Sequence, residues 1–140
     1  MNGIEVINKG VVLARYIPAD IAWKEGGLSF FSEDEEYIQA GSWNYNKGKK
    51  LLAHSHNEVK RSVLFTQEVI FVKSGSLQAY IYDDDSNLVE EITAYEDDVL
   101  IMLSGGHGYE VLEDNTKVLE IKNGPYVGAE LDRVRLKIDQ

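Results

Sequence analysis

Glu68-Val69-Ile70-Phe71-Val72-Lys73-Ser74-Gly75-Ser76-Leu77-Gln78-Ala79-Tyr80-Ile81-Tyr82 decides the architecture of this chain. Two runs rich in Val, Ile, Tyr and Phe, Glu68–Lys73 and Leu77–Tyr82, flank Lys73-Ser74-Gly75-Ser76. Gly75 is free to take positive φ, so the stretch reads as strand, tight turn, strand. Next comes Asp83-Asp84-Asp85-Ser86-Asn87, a second, Asx-capable turn. It lacks the glycine and the distal glutamate of a calcium loop. Val89–Tyr95, Val99–Leu103, Tyr109–Leu112 and Val118–Lys122 follow as strands, and Val11–Ile17, which also reads as a short helix start, Ile38–Tyr45, Lys50–His56 and Ser62–Thr66 precede. Ser32–Glu36 reads as an acidic exposed loop. No extended 3.6-residue amphipathic pattern interrupts them. Many short strands at this spacing predict an all-β sandwich or barrel.

The chain has 140 residues, 44% of them apolar, which fits one domain spanning 1–140 with a single core. Fourteen Lys and Arg stand against 24 Asp and Glu, a net charge of −10. That excludes nucleic acid or an anionic membrane as the main partner, because phosphate binding needs clustered positive charge. The absence of cysteine excludes disulfides, thiolate-bound zinc and thiol nucleophiles. Met1–Gly10 has no long apolar run, so a cytoplasmic protein is expected.

The chemistry-bearing residues are few. His54-Ser55-His56 ends an expected strand, where residues i and i+2 share a face, so both imidazoles converge. Glu68 opens the next clear strand, and Gly105-Gly106-His107-Gly108-Tyr109 places the third histidine at the start of another. Three imidazoles and a carboxylate suit one divalent Zn, Ni, Fe, Co or Mn ion with open positions for water or ligand. The competing reading is three ordinary histidines.

The spacing resembles the cupin superfamily. Gly48, five residues, then His54-Ser55-His56, and Glu68, six residues, then Gly75 match both ends of the first cupin motif. Asp97-Asp98-Val99-Leu100-Ile101-Met102-Leu103-Ser104-Gly105-Gly106-His107 looks like the second. The resemblance implies a single-domain double-stranded β-helix, or jelly-roll barrel, with its core at about 40–122 and residues 1–39 as an arm or outer layer. It also implies metal ligation by His54, His56, Glu68 and His107. The chain departs from the pattern at several points. Asn57–Gln67 is longer, the turn proline of the second motif is missing from a loop one residue short, Asp97 replaces a glycine and Val111 stands where an asparagine is often found. Gly105-Gly106 offers a sharp turn in place of that proline. Thr66-Gln67-Glu68, Ile81–Asp85, Gly105–Gly108 and Gly124-Pro125-Tyr126 further resemble bacterial cupins found beside surface-polysaccharide genes, which implies carbohydrate biosynthesis.

Around the expected site, Tyr109 alternates with His107 and so faces the pocket, as the candidate acid–base residue or as a core aromatic. Trp43 and Tyr45 share a strand face that can stack on a sugar or simply pack. Asn44 and Gln67 are candidate hydrogen-bond partners for a hydroxyl-rich ligand. Lys47, Lys49, Lys50, Lys60 and Arg61 form a basic island, read either as a reception site for an anion, with Lys50 nearest, or as solvated loop charge. Three functions compete. One is a metal-dependent isomerase, epimerase or dioxygenase acting on a small polar molecule. The others are a non-catalytic sugar- or metal-binding module and a metal-independent nucleotide-sugar ketoisomerase. Val69 and Phe71 on the outer face of Glu68–Lys73 need cover from a second subunit or from the N-terminal segment, and a homodimer is expected.

Overall fold

The computed structural model describes residues 3–139; Met1, Asn2 and Gln140, at the ends of the expected 1–140 domain, lie outside the described residues. Among the described residues the chain is all-β, with two single-turn helices. In order they are β1 (Ile4–Asn8), β2 (Val11–Ile17), α1 (Ala19–Ala22), β3 (Gly27–Phe30), β4 (Gly41–Asn44), β5 (Glu68–Ser74), β6 (Ser76–Tyr82), β7 (Leu88–Tyr95), β8 (Val99–Met102), β9 (Gly106–Val111), β10 (Lys117–Lys122) and α2 (Ala129–Asp132). No helix among them is long and apolar enough to cross a membrane.

All strand pairs are antiparallel. A five-stranded sheet runs β1-β2-β8-β5-β10, a three-stranded sheet runs β7-β6-β9, and β3-β4 is a separate hairpin. Local chemistry fixes the turns. Gly75 takes φ 82° between β5 and β6, and a Cβ there would fall against Thr116. Asp83 Oδ1 accepts from the backbone N–H of Asp85 and Asn87, closing the acidic turn as an Asx motif. Gly105 takes φ 70°, and a Cβ added to it would sit 2.2 Å from the Tyr82 carbonyl oxygen. The glycine pair therefore makes the close turn into β9 that the missing proline left open.

The two larger sheets face each other over one core. Ile70, Val72, Leu100 and Met102 from the five-stranded sheet meet Leu77, Ala79, Ile81, Ile92 and Ala94 from the three-stranded sheet. A second core lies on the opposite face of the five-stranded sheet, where Val69, Val99 and Ile101 pack against Ile17, Ala22, Phe31 and Ile38, with Phe71 alongside. The chain's own N-terminal segment thus covers β5, so this face does not require a second subunit.

Polar struts hold that outer layer. The Asp98 carboxylate, buried, accepts from Tyr16 Oη at 2.6 Å and from the backbone N–H of Ala19 and Tyr95, each at 2.8 Å. Burial first, then this hydrogen bond and the carboxylate charge, push the Tyr16 phenol well above its ordinary range. Arg15, also buried, donates from Nε to Glu5 at 3.2 Å and pairs with Glu36. Glu36, expected in an exposed acidic loop, is therefore an anchor.

Two expected strands are not formed. Residues 46–65, which include Lys50–His56 and Ser62–Thr66 up to Phe65, are exposed throughout and make an arm between β4 and β5. A strand needs a ladder partner for its N–H and C=O groups, and these residues have none on their own body. Among the described residues the sheets do not close into a barrel. Directly paired residues share a face, so the register of β6 with β9 sets His107, Tyr109 and Val111 on the core side with Ile81, Ala79 and Leu77. The register of β5 with β10 sets Val118, Glu120 and Lys122 on the core side with Val72, Ile70 and Glu68. Yet Val111 is 64% exposed and Val118 is exposed too. β9 and β10 end their sheets, and the seam between them lacks a wall.

Candidate ligand and metal site at the open seam

Glu68 begins β5 at the mouth of this seam and is 4% exposed. Its Oε1 lies 3.0 Å from His107 Nε2 and accepts from Tyr109 Oη at 2.8 Å, and its Oε2 lies 3.7 Å from Lys122 Nζ. His107 and Tyr109 come from β9 in the three-stranded sheet, Glu68 and Lys122 from the five-stranded sheet, so this cluster ties the two sheets at the open end. It lines a wide trough of about 1250 Å³ whose other walls include Tyr80, Glu120, Arg133 and Arg135. The tilted rings of His107 and Tyr109 stand 5.4 Å apart between centroids.

The electrostatics follow from burial and neighbours. Burial pushes the Glu68 carboxyl up, but His107, the Tyr109 hydrogen bond and the Lys122 charge together outweigh it and bring it down to about 2. Burial, then the charge and hydrogen bond of Glu68, push the Tyr109 phenol far above its ordinary range, so it stays a protonated donor. The sign for stability is therefore fixed. A carboxyl at about 2 in the folded chain and near 4.5 when unfolded contributes stability that is full above pH 4.5 and lost as pH falls toward 2. Glu68→Gln is expected to lower metal-free stability at pH 7 by about 1.5–3 kcal/mol, the worth of hydrogen bonds to a charged group. Chemical denaturation of both proteins at pH 7, 4 and 3 checks this. The difference should shrink with acid, and a constant difference would show that the carboxylate charge is not what stabilises.

The histidine pair lies elsewhere. His54 and His56 keep their expected convergence, with ring centroids 5.1 Å apart, but they sit on the exposed arm. His54 Nδ1 is 3.0 Å from the Leu52 carbonyl oxygen. An Nδ1–H donated there leaves Nε2 with the free lone pair. Among the described residues no group of three or more His, Cys, Asp or Glu gathers closely enough to hold a metal ion. Within one chain the expected four-ligand set is thus split, Glu68 with His107 on the body and His54 with His56 on the arm. The correction has a physical cause: the strand that was to carry the pair into the pocket has no pairing partner.

The expected ligand-binding residues also separate from the trough. Gln67 is buried, its Oε1 accepting from the N–H of Tyr37 and Ile38 and its Nε2 donating to the Leu103 carbonyl. Its amide is a strut between backbone segments, and it faces no ligand. Asn44 Nδ2 donates to the Trp23 carbonyl. Trp43 stacks at a tilt on Tyr45, 5.9 Å between centroids, and Lys49 Nζ lies 5.2 Å over the Tyr45 ring, on the outer β3-β4 hairpin and the arm's first residues. Lys50 is exposed on the arm. Tyr109 lies in the trough as alternation with His107 required. Lys122, Arg133 and Arg135 were missed; the period-two pattern of Val118–Lys122 placed Lys122 on one face of a strand but could not say that β10 pairs with β5.

No family model, no curated protein and no solved structure matches this chain.

Proposed function

We propose that the chain is a cupin-like jelly roll whose open seam binds a divalent metal ion and a small polar ligand, sugar-like or anionic. The observation that carries this reading is the contact between Glu68 and His107. Two ligand atoms each about 2.1 Å from one ion, at right angles, lie about 3 Å apart, and Oε1 of Glu68 and Nε2 of His107 are separated by 3.0 Å. The pair already stands at the spacing of neighbouring metal ligands. His54 and His56 would complete the donor set only if the arm that carries them were brought to the seam. When bound, the ion supplies a Lewis acid for a carbonyl or carboxylate oxygen of the ligand. The chain's own groups do the rest. Tyr109 donates to Glu68 and fixes the carboxylate's rotamer. Lys122, Arg133 and Arg135 are the cations of a trough that Glu68, Asp83, Asp84, Glu110, Glu120, Asp132 and Asp139 also line, so an anionic group of the ligand would have to meet these three. A role in carbohydrate or surface-polysaccharide biosynthesis is consistent with such a ligand.

The same contact supports a second reading, in which Glu68 and His107 act without metal as a carboxylate–imidazole acid–base pair. Metal content of the purified protein separates the two. The first reading expects about one ion per chain, reduced at least tenfold in His107→Ala and in Glu68→Gln, and unchanged in Trp43→Ala. A folded wild-type protein that retains no ion and takes up none on titration with Zn, Ni, Co, Mn or Fe(II) would remove the metal reading and leave the acid–base pair. A thermal-shift panel of sugars, sugar phosphates, nucleotide sugars and keto acids then reports the ligand class. Stabilisation by long apolar molecules alone would contradict a polar site.

A further inference from the structure

We infer that residues 46–65 form an exchanged arm: in solution the arm of one copy fills the seam between β9 and β10 of a second copy, and carries its His54 and His56 to the second copy's Glu68 and His107.

Four observations converge on this. First, the arm is partnerless on its own body. From residue 46 to residue 60 its hydrogen bonds are local, Lys49 N–H to the Asn46 carbonyl and His54 to the Leu52 carbonyl. Leu52 and Leu64 are 86% and 79% exposed. Apolar side chains at that density on an exposed segment call for a covered site. Second, the seam lacks what the arm supplies. β9 and β10 present unpaired edges, with Val111 and Val118 open on the core side and Leu119 and Ile121 open on the other. Such edges are templates for another strand. Third, the arm's base is fixed on its own body outside β9 and β10. It is held by Asn123, which donates to the Phe65 carbonyl, and by the Phe65 ring against Tyr37 at 4.8 Å. Arg61–Val63 then run along a recess with Asp34–Tyr37. Fourth, charge complements. The arm carries five Lys and Arg against one Glu in a chain of net −10, so all the excess negative charge lies on the body it would meet.

The dimensions suit exchange. Twenty residues, if fully extended, would reach roughly 65 Å at about 3.3 Å each, enough to cross a two-fold axis. Each copy would bring an arm and two edge strands, comparable with the roughly 20–30 residues a side of a stable interface. A reciprocal exchange is two-fold and closed, so it buries both edges without leaving a fibre-forming end. The inference rests on the metal reading only for the role of the histidines; the exchange itself rests on the edges and the arm.

The test uses the full chain. Light scattering at micromolar concentration should give twice the chain mass of 15.8 kDa. The double variant Leu52→Asp, Leu64→Asp should give that mass once, with an unchanged β-type circular dichroism spectrum. A monomeric wild type, or a dimer that survives the double variant, overturns the inference. Complementation then locates the histidines. A His54→Ala, His56→Ala chain and a Glu68→Gln, His107→Ala chain each lose every intact site. Co-refolded as a mixed dimer under exchange, they regain one complete site and one ion per dimer. A mixed dimer without metal, while the wild-type dimer is loaded, shows that each arm serves its own body and overturns the inference. Should the wild type bind no metal, the metal reading falls and cross-linking decides the exchange. The chain has no natural cysteine, so Leu64→Cys chains and Leu119→Cys chains can be mixed and treated with a bismaleimide. Inter-chain products support exchange. Their absence, with an intra-chain product in the Leu64→Cys, Leu119→Cys double variant, refutes it.

Discussion

Asp98→Ala is expected to destabilise the protein more than any other single polar replacement, by roughly 3 kcal/mol or more. The carboxylate accepts three hydrogen bonds, from Tyr16 Oη, Ala19 N–H and Tyr95 N–H, and hydrogen bonds to charged groups contribute about 1.5–3 kcal/mol each. These do not add in full, because Tyr16 and the backbone relax once the acceptor is gone. Even so, the loss is a large part of the 5–15 kcal/mol typical of a domain. The three donors belong to β2, the first turn of α1 and the end of β7, so one side chain fixes where the outer layer lies on the five-stranded sheet. Urea unfolding of Asp98→Ala, Asp98→Asn and Tyr16→Phe checks the assignment. Tyr16→Phe removes a single donor and should cost about half as much or less. If Asp98→Ala shifts the midpoint no more than Tyr16→Phe does, the two backbone bonds contribute nothing measurable and the strut is misassigned.

Leu100→Ala should cost a further class of energy, about 2–5 kcal/mol, through a cavity in place of lost hydrogen bonds. Leu100 is fully buried at the centre of the larger core, on β8, which pairs with β2 on one side and β5 on the other. Neither neighbour can move inward without breaking a ladder, so the space left by three carbons stays open. Leu100→Met keeps the volume and should cost under about 1.5 kcal/mol. An alanine variant within 1 kcal/mol of wild type would mean that the two sheets close over the gap, and hence that the open seam leaves them free to slide.

Much of this was legible in the residues. Val11–Ile17 was bounded as observed, and β5 to β8 fell within a residue or two of their expected ends, because apolar alternation between Asx and glycine turns is a local signal. Ile4–Asn8 and Gly27–Phe30 escaped: each is short, and Gly3, Gly10, Gly26 and Gly27 around them read as loop. The site was half legible. Tyr109 beside His107 followed from period two, and Glu68 opening a strand followed from composition. Lys122 did not, since nothing in Val118–Lys122 names its neighbour. The strands expected at Lys50–His56 and Ser62–Thr66 show the limit most clearly. Their residues favour extended backbone, but a strand is a relation between two segments. A sequence states the preference of one segment and is silent on whether its partner lies in the same chain.

The sheet order has a further consequence, during synthesis. β2 lies between β1 and β8, and Ala14 to Ile17 hydrogen-bond to Val99–Met102 near the other end of the chain. A ribosome adding about 5–20 residues per second leaves β2 without its inner neighbour for on the order of ten seconds. Throughout that interval Leu13, Ala14 and Ile17, all buried in the finished fold, face water on a lone hairpin too small to hold itself together. The nascent chain therefore exposes this surface until β8 is made.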